Sequence, residues 1–255
     1  MCRLLAIYGK VRFWKEIVLE FQKLAESGII PPVVVEPGHR DGWGMAGADD
    51  GQTAMYQIAR RAEAADLSPA FQETLASLSQ QPPVFLCHLR KASPGVPITI
   101  DNVHPFFNSG WAFCHNGTVY NPETLPINRT FKLTSRGSDS EYLFHFLLPF
   151  FSNRKANQKP LKTVAEALSS LKTRYTALNC ILSNGLDLFV IRHFIQFAAY
   201  YTLYFYRLPK GMIICSEALG TAELDRDKWQ EIPNRSILRI SGNPPSMESF
   251  PRITQ

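Results

Sequence analysis

Apolar residues along the chain fall into short unbroken blocks and longer stretches with helical spacing. The first block, residues 4–8, begins almost at residue one and stops at Gly9, which predicts a buried strand. Phe13, Ile17, Phe21 and Leu24, with Trp14 and Val18 beside them, then recur at the interval that places them on one helix face. Gly28 and the Pro31, Pro32 pair end that helix. After a loop through Pro37, the glycine-punctuated run GHRDGWGMAG leads to a strand at 53–59. Ser68 and Pro69 supply an N-cap and a first-turn proline for a helix ending near residue 79.

Pro82 and Pro83 introduce a strand at 84–89, and a loop rich in Pro, Gly and Asn leads to another at 111–114. That second strand stops at His115, Asn116 and Gly117. Ser138 and Glu141 have the spacing of a capping box ahead of YLFHFLL, which puts Asp139 in the first turn of a helix. A further helix is expected at 163–172, beyond a polar Asn/Lys stretch at 153–159. Strand-like runs at 178–182, 186–191, 200–206, 212–215 and 237–240 complete the pattern, with Asn184-Gly185 as the strongest hairpin signal. The aromatic block 194–206 reads as core strands, with an exposed docking surface as the alternative. Helices grouped between hairpin-like strands predict an α+β fold rather than a regular βαβ alternation.

Composition changes this picture little. A chain of 255 residues, 45% of them hydrophobic, buries about 70–75% of its unfolded surface, so one self-sufficient domain over 1–255 is expected. The net charge of +5 is spread without a Lys/Arg stripe, which argues against a nucleic-acid partner. Five cysteines with no CxxC pair argue against a disulfide framework and a structural zinc site and favour a reducing compartment. Cys87, Cys114, Cys180 and Cys215 sit in apolar runs as small hydrophobes, whereas Cys2 has no such setting. Arg3 and Lys10 interrupt any signal peptide, and the block at 194–206 is shorter than the roughly 20 residues of a membrane helix. The expected location is therefore cytoplasmic, with no membrane partner. Asn128, Arg129 and Thr130 form a sequon that means nothing without secretion. No GxGxxG or Walker pattern follows a strand, and no cofactor is expected.

Four segments at element ends carry usable chemistry: Cys2, the His88-Leu89-Arg90 run, the His115-Asn116-Gly117 turn and Ser138 to Glu141. As an acyl-transfer site their jobs are complementary. A terminal cysteine brings its own α-amine, pKa about 7.7 to 8.0, as a base beside the thiol. The Asn116 amide and Gly117 N–H can donate to a tetrahedral oxyanion. Arg90 can grip a carboxylate through two parallel hydrogen bonds, and Asp139 can hold an ammonium. Each also has an ordinary reading: Cys2 incidental, Arg90 an ion-pair partner, Asn116-Gly117 a turn, Asp139 a helix-start charge. His88, His104 and His115 suggest zinc, but their spacing matches no metal motif, and no metal is expected.

Taken together and in order, MCRLLAIYG, DGWGMAG, CHLRKAS, NVHPF, FCHNGTVYN and SDSEYLF resemble the class II glutamine amidotransferases of the N-terminal nucleophile hydrolase superfamily. The similarity is greatest to its compact stand-alone subgroup, which includes uncharacterised bacterial amidotransferases and enzymes that cut γ-glutamyl bonds in ergothioneine synthesis or glutathione breakdown. It spans residues 1 to about 145, and SEALGTAELDRDKWQEIP resembles the subgroup's later segment. The resemblance implies a four-layer αββα sandwich of two antiparallel sheets between helical layers. It implies Cys2 as nucleophile and α-amine base after Met1 removal, Asn116 and Gly117 as oxyanion hole, and Arg90 and Asp139 as substrate anchors. His88, His115, Gly42, Trp43 and Gly44 would support the pocket, with glycine permitting close backbone approach. The implied reaction is cleavage of glutamine or a γ-glutamyl amide through a γ-glutamyl thioester.

The sequence leaves no residues for the synthase domain of the larger amidotransferases. Either an acceptor or synthase protein partner is expected, or the enzyme is a γ-glutamyl hydrolase acting on a small peptide or thiol metabolite. An inactive homologue serving as a binding subunit and a metal-dependent hydrolase are the rivals of other classes.

Overall fold

The computed structural model describes residues 2–32, 36–128, 132–152 and 160–251. In chain order the elements are β1 (Arg3–Gly9), α1 (Trp14–Ser27), β2 (Trp43–Ala48), β3 (Met55–Arg61), α2 (Pro69–Ser77) and β4 (Val84–Leu89). There follow β5 (Phe106–Asn108), β6 (Trp111–Asn116), α3 (Asp139–Ser152), α4 (Pro160–Ser169), β7 (Asn179–Ser183) and β8 (Leu188–Arg192). The last are β9 (Tyr204–Leu208), β10 (Gly211–Cys215), β11 (Gln230–Glu231), β12 (Ser236–Ser241) and β13 (Ser246–Pro251). Among the described residues the strands make two antiparallel sheets, ordered β11-β9-β10-β1-β4-β2-β3 and β13-β12-β8-β7-β6-β5.

The unbroken apolar run of β1 follows from its burial on both faces. Leu5 and Ile7 face α1 and α2, joining Ile17, Val18, Phe21, Phe71 and Leu75. Leu4 and Ala6 face the other sheet, packing in a layer with Leu86, Ala112, Cys114, Ile181 and Val190. On the far side Leu143, Leu147, Val164 and Leu168 of α3 and α4 cover Phe113, Leu182 and Phe189. Full burial of one such side chain contributes about 1.5–3 kcal/mol, more than any helix propensity difference, so the apolar stripes hold the helices in place. The layers therefore run helix, sheet, sheet, helix, as the resemblance implied.

Several expectations are corrected. The glycine-punctuated run does not merely lead to a strand: Trp43–Ala48 is itself an interior strand, β2, between β4 and β3, hidden in the sequence by its small residues. Small residues are required there: a Cβ on Gly44 would lie 2.1 Å from the His104 carbonyl oxygen. The strand expected at 200–206 starts only at Tyr204, because the chain turns at Phe197, where φ is +58°. The Tyr200 and Tyr201 N–H groups both donate to the Phe197 carbonyl, so these tyrosines leave the strand path and are buried. The block is therefore not continuous strand: residues 200–203, Phe205 and Tyr206 are buried core, whereas Ile195, Gln196, Ala198 and Ala199 are exposed.

The hairpin at Asn184-Gly185 forms, yet Gly185 has a positive φ and Asn184 does not. Asn184 Oδ1 instead accepts from the Leu186 and Asp187 N–H groups, so an Asx arrangement closes the loop rather than a type I′ turn. Glu141 does not cap Ser138; its carboxylate accepts from the N–H groups of Thr134 and Ser135 and from the Thr134 hydroxyl. The helix expected at 163–172 runs Pro160–Ser169. Met1, the polar stretch at 153–159 and two of the three sequon positions, 129 and 130, lie outside the described residues. No helix among the described residues is long and apolar enough to cross a membrane.

Candidate active site

Strand β1 lies mid-sheet, antiparallel to β4, so its first residues meet the last of β4: Arg3 pairs with Leu89 and Leu4 with His88. This register sets Cys2 beside the segment that leaves β4, and the Cys2 thiol lies 3.8 Å from the Lys91 carbonyl. From the facing sheet, β6 ends at Asn116, whose Oδ1 accepts the Cys2 N–H at 2.8 Å. Cys2, Arg90, His104, His115, Gly117 and Asp139 border one cavity of about 30 Å³. A larger hollow of about 320 Å³, between Tyr206, Arg207, Asp227, Lys228 and Gln230, has no cysteine, serine or threonine in its lining.

The Asn116 amide is oriented by its neighbours. A backbone N–H can only donate, so the atom facing Cys2 is the oxygen, and Nδ2 is the other end. That nitrogen is fully buried and has no hydrogen-bond partner among the described residues. Gly117 follows where only glycine fits, since a Cβ there would lie 1.9 Å from the Ala177 carbonyl oxygen. Asp139, the first residue of α3, accepts the Val119 N–H at 2.6 Å through Oδ2, which ties the helix to the turn after β6.

Arg90 is held at the cavity rim by backbone carbonyls, donating to Asp41 at 3.4 Å and Pro97 at 3.1 Å. Its own N–H donates to Gly42, and Asp41 accepts the Ala92 N–H, so residues 90–92 and 41–42 are laced together. Burial lowers the Arg90 pKa, and the neighbouring Cys2 and Asp41 oppose that shift. Gly42 (φ +146°) lies where a Cβ would strike Val103 at 2.7 Å. Trp43 is placed differently from expectation: it faces the helical layer, edge-on to Phe71 at 5.0 Å, and belongs to the outer core.

His88 and His115, expected to support the pocket, and His104 between them are all buried, and burial lowers the pKa of each. His115 Nε2 faces the Ala177 carbonyl at 3.1 Å and so carries the proton, leaving Nδ1 to accept from Ser140 Oγ at 2.9 Å. His104 Nδ1 accepts the His115 backbone N–H and lies 2.9 Å from His88 Nε2, which must then be the donor. Neutral His104 accordingly carries its proton on Nε2. No group of three His, Cys, Asp or Glu side chains that could hold a metal exists among the described residues.

Reasoning from the sequence missed two participants. Arg3, fully buried, pairs with Glu217 at 2.6 Å, donates to the Ile29 carbonyl and lies over the Tyr200 ring at 4.5 Å. Tyr200 places its hydroxyl 3.3 Å from Asn116 Oδ1. The adjacent tyrosines carried no spacing signal beyond their place in an aromatic block. The remaining cysteines, Cys87, Cys114, Cys180 and Cys215, are buried and unpaired, and burial raises the pKa of each.

The family described as glutamine amidotransferases class-II matches residues 1–203. The chain belongs to this family of enzymes, which is built on an N-terminal cysteine. No curated protein matches. Among solved structures, glutamine phosphoribosylpyrophosphate amidotransferase from B. subtilis aligns over 100% of this chain and 50% of its own, at TM-score 0.65 and 16% identity. A structure described as the allosteric regulatory enzyme of purine biosynthesis aligns over 100% of this chain and 49% of its own, at TM-score 0.68 and 18% identity. The chain thus spans about half the length of both. A glutamine aminotransferase class-II domain protein from Silicibacter pomeroyi aligns nearly end to end, 98% and 99%, at TM-score 0.61 and 19% identity. These likenesses establish the fold, the N-terminal nucleophile hydrolase sandwich.

Proposed function

We propose that the protein hydrolyses the side-chain amide of glutamine through a γ-glutamyl thioester on Cys2, with Met1 removed. The observation that carries this reading is the oriented Asn116 amide, tied by Oδ1 to the Cys2 nitrogen and leaving Nδ2 a buried donor with no partner among the described residues. An oxyanion formed at Cys2 is the acceptor such a donor suits.

In the cycle, the thiol proton passes to the Cys2 α-amine and the thiolate attacks the amide carbon. The oxyanion takes hydrogen bonds from Asn116 Nδ2 and the Gly117 N–H. On collapse, the ammonium returns its proton to the leaving nitrogen and ammonia departs. Water, deprotonated by the same amine, then splits the thioester to glutamate and thiol. The histidines favour the amine as base: His115 has both nitrogens engaged, neutral His104 carries its proton on Nε2, and His88, whose Nδ1 is bare, is not among the residues bordering the cavity. Arg90 would take the substrate α-carboxylate and Asp139 the α-ammonium.

The test is intact-mass and peptide analysis after incubation with the glutamine-like electrophile diazo-oxo-norleucine, alongside ammonia release from glutamine and a panel of γ-glutamyl amides. A single adduct on a Met-free Cys2, lost in Cys2→Ala together with turnover, is expected. A retained Met1 with an unreactive Cys2, in protein from its native host, would sink the mechanism. The amide turned over fastest identifies the leaving group.

A further inference from the structure

The segment before β9 has no part in the cycle above, yet it reaches the reacting groups. Tyr200 is 1% exposed, and its hydroxyl lies 3.3 Å from the same Asn116 oxygen that accepts the Cys2 N–H. With that atom fixed as oxygen by the Cys2 N–H, the Tyr200 hydroxyl is the donor of the pair. Burial raises the Tyr200 pKa well above its usual value, so the hydroxyl keeps its proton.

We infer that Tyr200 is a positioning residue for the oxyanion donor: its hydroxyl and the Cys2 N–H together hold Asn116 Oδ1, which keeps Nδ2 available to the substrate. The inference rests on the glutamine-cleaving reading. Rotating the amide by half a turn would set Nδ2 against the Cys2 N–H, force the Tyr200 hydroxyl to turn from donor to acceptor, and leave the oxygen where an oxyanion must form, so the two bonds to Oδ1 favour the productive orientation. The second donor matters because the Cys2 nitrogen gains and loses a proton in each turnover. Tyr200 supplies a donor that does not take part.

The tyrosine is itself well anchored. Its ring lies under the Arg3 guanidinium at 4.5 Å and against Tyr201 at 4.8 Å, and its carbonyl accepts from Arg3 Nη1 at 3.4 Å. Tyr201 reaches the other side of the same turn, its hydroxyl 2.8 Å from Thr176 Oγ1, which accepts the Thr118 N–H at 3.0 Å. Two consecutive side chains thus brace Asn116 and Thr118, the residues flanking Gly117.

The deciding experiment is a double-mutant cycle on the full-length protein. Tyr200→Phe keeps the ring and removes the hydroxyl. Its kcat for glutamine should fall about tenfold, the scale of one net hydrogen bond, with KM within about twofold. In an Asn116→Ala background the same change should alter kcat less than about twofold, since no amide remains to orient. Alkylation of Cys2 by iodoacetamide, a displacement that forms no oxyanion, should proceed at the wild-type rate. Equal losses in both backgrounds, a parallel fall in alkylation rate, or an unfolded Tyr200→Phe protein would each overturn the inference in favour of a packing role. Wild-type turnover with an unaffected Tyr200→Phe overturns the inference alone, whereas a wild-type chain inert toward glutamine and γ-glutamyl amides overturns the functional reading with it.

Discussion

Cys2 and Cys114 are both buried thiols where the two sheets face each other, in opposite surroundings. Cys114 lies in the apolar slab with Leu4, Ala6, Leu86 and Ile181, and burial raises its pKa far above the ordinary thiol value. Cys2 lies one strand-end away, its nitrogen on Asn116 and its sulfur near the Lys91 carbonyl, bordering a cavity shared with Arg90 and Asp139. Burial makes Cys114 a small hydrophobe. What distinguishes Cys2 is the ring of chain ends around it: the last residues of β4 and β6, the first of α3, and polar side chains oriented by partners on neighbouring segments. The slab supplies rigidity, and the site end supplies directed hydrogen-bonding groups.

The contrast can be broken most sharply at Asn116. Asn116→Ala should lower kcat for glutamine by about 10²–10³ with the fold intact by circular dichroism, the cost of one oxyanion donor. A loss under tenfold would remove that role from Asn116.

Glu141 tests the site end through acid. Burial alone would raise its pKa, but hydrogen bonds involving His145, Ser135 and Thr134 bring it down to about 2. The folded pKa lies below the unfolded value of about 4.3, so the carboxylate's contribution is complete above that value and is lost as pH falls toward 2. Glu141→Gln should therefore destabilise the protein by about 2–3 kcal/mol at pH 7, and the gap from wild type in urea titrations should close between about pH 5 and pH 2. A gap independent of pH would show that shape rather than charge matters there.

Arg90→Lys asks whether the planar fork is used. An ammonium cannot form two parallel bonds to a carboxylate, so KM for glutamine should rise about tenfold, with a smaller change in kcat. Steady-state kinetics on glutamine would show this, and an unchanged KM would return Arg90 to a purely structural part. Last, Cys114→Ala should leave turnover unchanged and lower stability by about 1 kcal/mol in the same titrations, as a small loss of packed volume does. Loss of activity there would mean that slab and site are not separable.

What could be read from the sequence follows the same division. Residues buried on both faces announce themselves as unbroken apolar runs, so β1, β4, β6, β7, β8, β10 and β12 and the stripes of the helices were foreseeable. Strand β2 was not, because close approach to His104 demands glycine and glycine carries no strand signature. Strand β11 owes its existence to β9, a partner that is not its neighbour in the chain, and β5 is a three-residue hairpin arm of β6, too short to show a pattern of its own. At the site, Cys2, Arg90, Gly117 and Asp139, each singled out in the sequence, lie around one cavity, with Asn116 hydrogen-bonded to Cys2. Trp43 was misplaced because alternation along β2 turns its side chain outward. Tyr200 and the Arg3–Glu217 pair were invisible because their partners lie far away in sequence: Tyr200 meets Asn116 84 residues away, and nothing local marks it.

The pairing of β1 with β10 carries a further consequence. The family match ends at residue 203, but Leu5, Ala6 and Ile7 pair with Cys215, Ile214 and Ile213, and buried Arg3 has its carboxylate partner in Glu217. A chain cut at 203 would turn the central strand into an open apolar edge with a buried cation stripped of its counter-charge, a template for strand addition between molecules. The stretch most readily recognised by homology is therefore not a folding unit closed on itself, and the less recognisable remainder covers its central strand and balances its buried charge.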